Sequence, residues 1–533
     1  MSKRPAWDAI VIGGGHNGLV CAGYLAQAGK RVLVLEARAG LGGACGTVEF
    51  MPGYRAAMAN SPGSFDPRII DELKLAEHGL SFIRTELTVL HPFPSGCFVG
   101  WRDRARIAAQ LDAHAPGEGQ RYFDLLAALE DLARHLGTSV YEPSPDLVTL
   151  ARRVPATHAQ LFEAVFFGSL TELLDRSLRS EEAKALLGMV ALNATMSPPS
   201  APGTAVGLMM RPLSLASAPP LSPDDPRMTP LRGSTGLPLG GMGALVDALA
   251  ASCRAAGAEL RTGARVARIL VEGGLAAGVV TETGEELRAT SVISAINPVT
   301  FLRDMVPATA LAPETRREIE AVNMRGSAFK ITLALDGLPT YAGLPTDVSQ
   351  AQASELQFRI APSLSYIERA IGDVLGGRPS EEPILWGLIP SATSPGLAPT
   401  GRHLLSINAW HAPYEPVDGP WDPARREAFL GRCIAAMAQL MPDLESRIVD
   451  ARCLDPTQLE SEFGLVRSNI THGDMLPAQL FGARPHARFH AYRGPLPGLF
   501  MSGAGVWPGG YVTGVPGRNT SAAVLADLLE ATS

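Results

Sequence analysis

The stretch from Asp8 to Gly43, DAIVIGGGHNGLVCAGYLAQAGKRVLVLEARAGLGG, restricts the fold more than any other part of this chain. Ala9–Ile12 is an apolar run of strand type, Leu19–Ala28 has helical spacing, and Val32–Leu35 reads as a second strand closed by Glu36. Between the first strand and the helix, Gly13, Gly15 and Gly18 fill the pattern G-x-G-x-x-G, and Gly29 is placed to end the helix. Each glycine answers a separate steric demand. Gly13 allows a tight turn, Gly15 lets a pyrophosphate approach the backbone, and Gly18 lets helix and strand pack closely. The helix N-terminus offers unpaired N–H groups and the positive end of its dipole to phosphate. Glu36, eighteen residues beyond Gly18, is placed to accept hydrogen bonds from a ribose hydroxyl pair. Together these predict a dinucleotide site on a Rossmann-like α/β unit.

Glycines recur directly after the acid, in Arg38-Ala39-Gly40-Leu41-Gly42-Gly43. Bare backbone there can approach the middle of a cofactor longer than NAD, which points to FAD. A third glycine-rich segment, LFMSGAGVWPGGYVTGVPGRNTSAAVLADLLEA, lies far along the chain. Leu499–Ser502 reads as a short strand, Gly503, Gly505, Gly509 and Gly510 as a flexible loop, and about Gly514 to Leu529 as a last helix. A helix N-terminus aimed at the N1–C2=O edge of a flavin would stabilise the negative charge of the reduced ring.

The 533 residues are enough for two to four domains, and 46% hydrophobic content allows a large core. The net charge of −7 is spread along the chain without a basic block, which excludes nucleic acid as an expected partner. Only five lysines occur, so arginine count alone says little about phosphate binding. The six cysteines (Cys21, Cys45, Cys97, Cys253, Cys433, Cys453) form no C-x-x-C or C-x4-C pair, which suits free thiols in a reducing compartment and argues against a dithiol reductase or a zinc ribbon. No H-E-x-x-H occurs, and no metal site is expected. The first strand leaves no room for a signal peptide and no apolar run reaches membrane-spanning length, so a cytoplasmic protein is expected. The apolar, proline-bearing stretch Val206–Leu221 is read as a loop-like buried connection, with peripheral membrane contact as the alternative.

Residues from about 104 to 195 show apolar positions at helical spacing, and Pro198–Pro238, rich in Pro, Ser and Gly, reads as a long connection or lid. A helix from near Gly243 to Gly257 precedes strands at Arg265–Val271, Ala277–Glu282 and Ser291–Ile296, with turns at Gly273-Gly274 and Thr283-Gly284. The expected architecture is α/β (α+β overall): an FAD-binding domain from 1–85, 235–300 and 490–533, and a discontinuous substrate domain of mixed sheet and helices from 86–234 and 301–489, with helical insert and lid.

The stretches VIGGGHNGLVCAGYLAQAGKRVLVLEAR, GGAC, PGYRAA, LKLAEHGL, GGMGALVDALA, VISAINP, NITHGDM and SGAGVWPGGYVTGVPGRN run from one end of the chain to the other. With them the sequence resembles flavoproteins of glutathione reductase topology, in the amine oxidase and phytoene desaturase branch, and specifically the phytoene dehydrogenase-related proteins. The resemblance implies FAD held by Gly13, Gly15, His16, Asn17 and Gly18 at the pyrophosphate and by Glu36 and Ala37 at the adenosine ribose. It places Arg38, Gly42, Gly43 and Ala44 along the diphosphate and ribityl region, and Asn60 and Ser61 near the isoalloxazine. Val266 would meet the adenine side through its backbone, and Gly503, Ala504, Tyr511, Val512 and Val515 would line the ribityl and pyrimidine side. Many relatives carry Arg where this chain has Ala44-Cys45, and Gly-Asp where it has Gly503-Ala504. A second G-x-G-x-x-G is absent, so no separate NAD(P) domain of reductase type is expected.

Amine oxidases of this superfamily bring a lysine from a substrate-domain strand to a water near flavin N5. Lys330, in MRGSAFKITLAL, has a similar context. Its face of the strand points at the flavin or at solvent. His472, His486 and His490 precede the last flavin segment; a surface or structural role is expected for each, with acid–base work as the alternative. The function implied is hydride transfer between FAD and a small hydrophobic, isoprenoid- or lipid-like substrate that is desaturated, saturated or isomerised. Oxygen, a quinone or another protein would be the electron acceptor. Flavin amine oxidation is one alternative. A non-enzymatic binding module, like the guanine nucleotide dissociation inhibitors of prenylated GTPases, is the other.

Overall fold

The structure is a computed structural model that describes residues 6–60, 65–193, 195–218 and 236–530. Two seven-stranded sheets organise it. The first is built around Trp7–Ile12, which pairs in parallel with Val32–Leu35 on one side and Glu286–Ser294 on the other, with Ile10 opposite both Leu33 and Val292. Glu259–Arg261 extends the parallel half next to Val32–Leu35. Beyond Glu286–Ser294 lie the antiparallel strands Leu275–Thr281 and Val266–Glu272, turned by Gly273-Gly274 at positive φ. Leu499–Met501 adds in parallel to Val292–Ser294. The strands of this sheet therefore come from three widely separated parts of the chain. The two central strands are apolar and almost wholly buried because helices cover the sheet. The first helix, His16–Gln27, packs against Met242–Ala255 and against the last helix, Val515–Glu530.

The second sheet runs in the order Ile448–Leu454, Phe329–Leu335, His403–Trp410, Ile384–Leu388, Gln357–Ile360, Leu87–Phe93, Gly96–Trp101. All its pairs are antiparallel except Leu87–Phe93 with Gln357–Ile360. Every residue of Phe329–Leu335 is buried. The alternative that the Lys330 face of this strand points at solvent is therefore corrected: it is an inner strand covered on both sides.

Between Arg104 and Ala216 the chain is helical. Local chemistry sets the ends: Asp103 accepts the N–H of Ala105, and Ser169 with Glu172 forms a reciprocal cap. The stretch read as a loop from Val206 is instead helical over Thr204–Met209 and Met210–Ala216. Its apolar side chains Val206, Leu208, Met209 and Leu213 are buried in the core cluster that joins the second sheet to the helical region. Most of this portion is interior packing. The rest of the expected lid, 219–235, lies outside the described residues. No helix among the described residues is long and apolar enough to cross a membrane.

Candidate active site

A cavity enclosing about 2140 Å³ of non-atom space, its mouth included, runs from the first sheet to the second. Its enclosed, water-accessible part is about 490 Å³, within the ~300–1,000 Å³ of ordinary cofactor and small-molecule pockets. The three glycine-bearing segments meet in its wall: Gly13, Gly15, His16 and Asn17 from the first turn; Glu36, Ala37, Arg38, Gly43 and Ala44 from the second; and Gly503, Ala504, Tyr511 and Val512 from the last. Asn60 lines the end toward the second sheet.

The first turn is fixed by its neighbours. The Gly14 N–H donates to Glu36 Oε2 at 2.8 Å and the Arg38 N–H donates to Oε1 at 2.9 Å, which pins the carboxylate while leaving lone pairs on both oxygens. The Gly42 N–H donates to the Gly14 carbonyl at 2.7 Å, so the second glycine pair is docked on the first turn. Gly42 has φ +114°, and a Cβ there would meet Gly46 Cα at 2.6 Å. Gly42 therefore shapes the turn, next to the lining residue Gly43, and is not itself in the cavity wall. The same holds for Gly18, where a Cβ would fall 2.1 Å from the Gly13 carbonyl oxygen; this is the close helix–strand packing expected of the third motif glycine. Val266 and Val515 are buried and also set back from the cavity, and Arg265 faces it in place of Val266. Ser61 lies outside the described residues.

The lining includes residues that sequence reasoning had not assigned. Asn297 caps a short helix through Oδ1, which accepts the Val299 N–H at 2.9 Å, while its buried Nδ2 has no protein partner. Asn17 Oδ1, Asn193 Oδ1 and His472 Nδ1 are likewise buried without partners, and all four residues face this one space. Buried polar atoms are ordinarily hydrogen-bonded. With His16 Nε2 these make five orphans around one cavity, and with a helix N-terminus that has no side-chain cap at its rim they fit a polar, phosphate-bearing molecule such as FAD.

His472 stands in NITHGDM, recognised in the sequence only as a subfamily stretch. Asn469 Oδ1 accepts three bonds from this turn, from the Thr471 N–H and hydroxyl and the Gly473 N–H. The buried Arg484 donates to the carbonyls of Thr471, Asp474 and Ala504, tying the turn to the last glycine loop. His472 is thus held at φ +54° in the cavity wall, and the surface position expected for it is corrected: it is half-buried there. Burial, with Arg484 and His16 adding to it, lowers its pKa to about 4, so it is a neutral imidazole at neutral pH. His486 and His490 are not part of the lining.

Lys330 is fully buried and faces neither solvent nor the cavity directly. Its Nζ donates to Asn60 Oδ1 at 2.7 Å, Ser406 Oγ at 2.8 Å, the Met58 carbonyl at 3.1 Å and Asn408 Oδ1 at 3.2 Å. Asn60 is further fixed by Nδ2, which donates to the carbonyls of Trp386 and Ser406. Burial pushes the Lys330 ammonium down to about 7, while four oxygen acceptors with no carboxylate among them act to keep the proton on. Asn60, Asn408 and Met58 do line the cavity. Lys330 therefore acts on the site through the two amides it holds, which makes it a positioning residue. On the same sheet face stand Trp386 and Trp410, both lining the cavity, with the Arg359 guanidinium 3.9 Å from the Trp386 ring centroid.

Residues 18–518 match the family described as flavin containing amine oxidoreductase. The rat pyridine nucleotide-disulfide oxidoreductase domain-containing protein 2 is 31% identical over 98% of this chain and 94% of its own. One of the subunits of limonene dehydrogenase from Castellaniella defragrans is 24% identical over 99% of this chain and 96% of its own. Among solved structures, putrescine oxidase bound to putrescine superposes with a TM-score of 0.62 at 15% identity, covering 98% of this chain and 99% of that one. The cavity that three glycine-bearing segments build has a lining that fits FAD, the cofactor of this oxidoreductase, and the chain belongs to the flavin containing amine oxidoreductase family.

Proposed function

We propose that the protein transfers a hydride between FAD and an apolar, isoprenoid- or lipid-like molecule, desaturating, saturating or isomerising it. The bound flavin supplies the two-electron chemistry. The chain's own residues bind and orient the substrate and exclude water. The observation that carries this reading is the sheet face at the substrate end of the cavity. The basic side chains Lys330 and Arg359 stand on this face just behind the cavity wall, and the guanidinium covers one face of Trp386. An ammonium substrate would find no carboxylate among the described residues of this sheet face and positive charge close behind it. The surrounding Met58, Met305, Ile470, Trp386 and Trp410 suit hydrocarbon. The relative named for limonene, a hydrocarbon, fits the same class.

Two aromatic side chains beside the cavity are also what amine oxidation would use, so that reading is the one to test against. Oxygen-free FAD-loaded protein should be mixed with primary amines and with apolar alkenes or alkanes, and photoreduced protein with alkenes. Bleaching by apolar donors, or reoxidation by alkenes, is expected, with no bleaching by amines. Rapid bleaching by an amine would overturn the proposal.

A further inference from the structure

Beside the main cavity lies a small second chamber, with space for little more than one hydroxyl-sized group. The two spaces share Asn193, Trp386 and Trp410 as walls. At the chamber's far side stands His411, which directly follows the strand His403–Trp410 and is only 4% exposed. Its φ is +75°, a conformation that a non-glycine residue keeps only when its surroundings enforce it. The enforcement is visible: the Ser380 N–H donates to the His411 carbonyl at 3.0 Å, and the Ala412 N–H donates to the Ser327 carbonyl at 3.1 Å. The imidazole Nδ1 nevertheless has no partner, nor does Asn193 Oδ1. Trp386 Nε1 cannot serve either, since it donates to Gln357 Oε1 at 2.8 Å. One small space is therefore lined, beside Thr195 and Ser327, by a buried amide acceptor and a buried imidazole, both unsatisfied, behind a pair of tryptophans.

We infer that this chamber is a hydroxyl subsite: it takes the neutral O–H head of a substrate or product whose apolar body lies in the main cavity. The match is one of hydrogen-bond polarity. A hydroxyl donates to Asn193 Oδ1 and accepts from the His411 Nδ1–H tautomer, satisfying both groups at once. A carbonyl or ether oxygen satisfies only the imidazole. A hydrocarbon end satisfies neither and leaves two buried polar atoms unpaired, the situation in which sites discriminate most strongly. A carboxylate or ammonium would be desolvated there with no counter-charge. This inference deepens the apolar-substrate reading and rests on it.

The test is calorimetric titration of the FAD-loaded protein with farnesol and with the hydrocarbon farnesene, on wild type, His411→Asn and Asn193→Leu. Asparagine tolerates the left-handed backbone at this position but is too short to reach the same point. Farnesol is expected to bind wild type at least about tenfold more tightly than farnesene, and each variant to reduce that ratio to about twofold or less, with farnesene affinity unchanged in His411→Asn, which lies outside the main cavity wall. Equal affinity for the two ligands in wild type, or a ratio that survives His411→Asn, means that the chamber holds water only and overturns the inference while leaving the apolar reading intact. Binding of neither ligand overturns both.

Discussion

Lys330 separates two ways in which a buried amine can matter. As a group acting at the flavin it would work independently of its neighbours. As the hub of four hydrogen bonds it works by fixing Asn60 and Asn408 at the cavity wall. The two make different predictions in a double-mutant cycle. Lys330→Met is expected to slow flavin reduction by substrate and to cost about 2–4 kcal/mol of stability, because buried acceptors lose their donor. Asn60→Ala is expected to slow reduction to a similar extent, and the double variant to be little worse than either, with a coupling of about 1–3 kcal/mol. Additive losses would show that Lys330 acts apart from Asn60. The pH dependence carries a second signature. Because the folded pKa, about 7, lies below the ordinary 10.5 of lysine, the folded state holds this proton less tightly than the unfolded chain does. Stability then rises as pH climbs from about 7 toward 10.5, and Lys330→Met should remove that rise.

At the scale of elements, the contact that holds the cofactor turn in place is the crossing of the first and last helices. Gly517, inside Val515–Glu530, is where they approach most closely: a Cβ there would lie 2.3 Å from the Asn17 carbonyl oxygen. Exchanging a glycine within a helix for alanine ordinarily gains up to about 1 kcal/mol, and less in the first turn, where Gly517 stands. Forcing a methyl group against backbone costs about 1–3 kcal/mol, so the steric effect wins. Gly517→Ala is expected to lower the melting temperature and to loosen FAD, since Asn17 is itself part of the cavity wall. Gly431→Ala, in the helix Pro423–Ala438 with nothing within 4 Å of its Cβ, should be neutral or stabilising. Thermal unfolding and bound-flavin content check both, and a Gly517→Ala protein that melts like wild type with full flavin would refute the packing account. The same elements show what a sequence can reveal. The glycine segments were readable because turn, helix start and acid are set by neighbours a few residues apart. Val206–Ala216 was misread because Pro212 suggested a break, yet it sits in the first turn of Met210–Ala216, where its missing N–H costs little. Trp386, Asn408 and His411 carried no local signal at all. Their place at the site follows from sheet register, with Asn408 opposite both Lys330 and Trp386, and register is decided by pairing across long stretches of chain.

For the whole molecule, buried imidazoles set the acid limit. His91 and His411 are 1% and 4% exposed, and burial lowers each pKa to about 3 from the ordinary 6.5, with Arg359 adding to the effect at His91. Below pH 6.5 the unfolded chain takes up protons at these positions and the folded chain refuses them. Each group then removes about 1.4 kcal/mol of stability per pH unit, and the loss continues until the folded pKa is reached. Two such groups are enough to exhaust an ordinary stability of about 5–15 kcal/mol within a few pH units. Neither ring nitrogen of His91 has a partner, and the ring stacks on Phe93 with centroids 4.6 Å apart. A hydrocarbon side chain there gives up no hydrogen bond and cannot titrate. His91→Leu is therefore expected to leave stability at about pH 8 within about 1 kcal/mol of wild type and to raise it at about pH 5 by about 1–2 kcal/mol. Denaturant unfolding of the FAD-loaded protein at the two pH values measures the difference. Equal displacement of wild type and variant at both would mean that His91 shares one protonation state in the folded and unfolded chain, and the acid limit would have to be sought in the carboxylates.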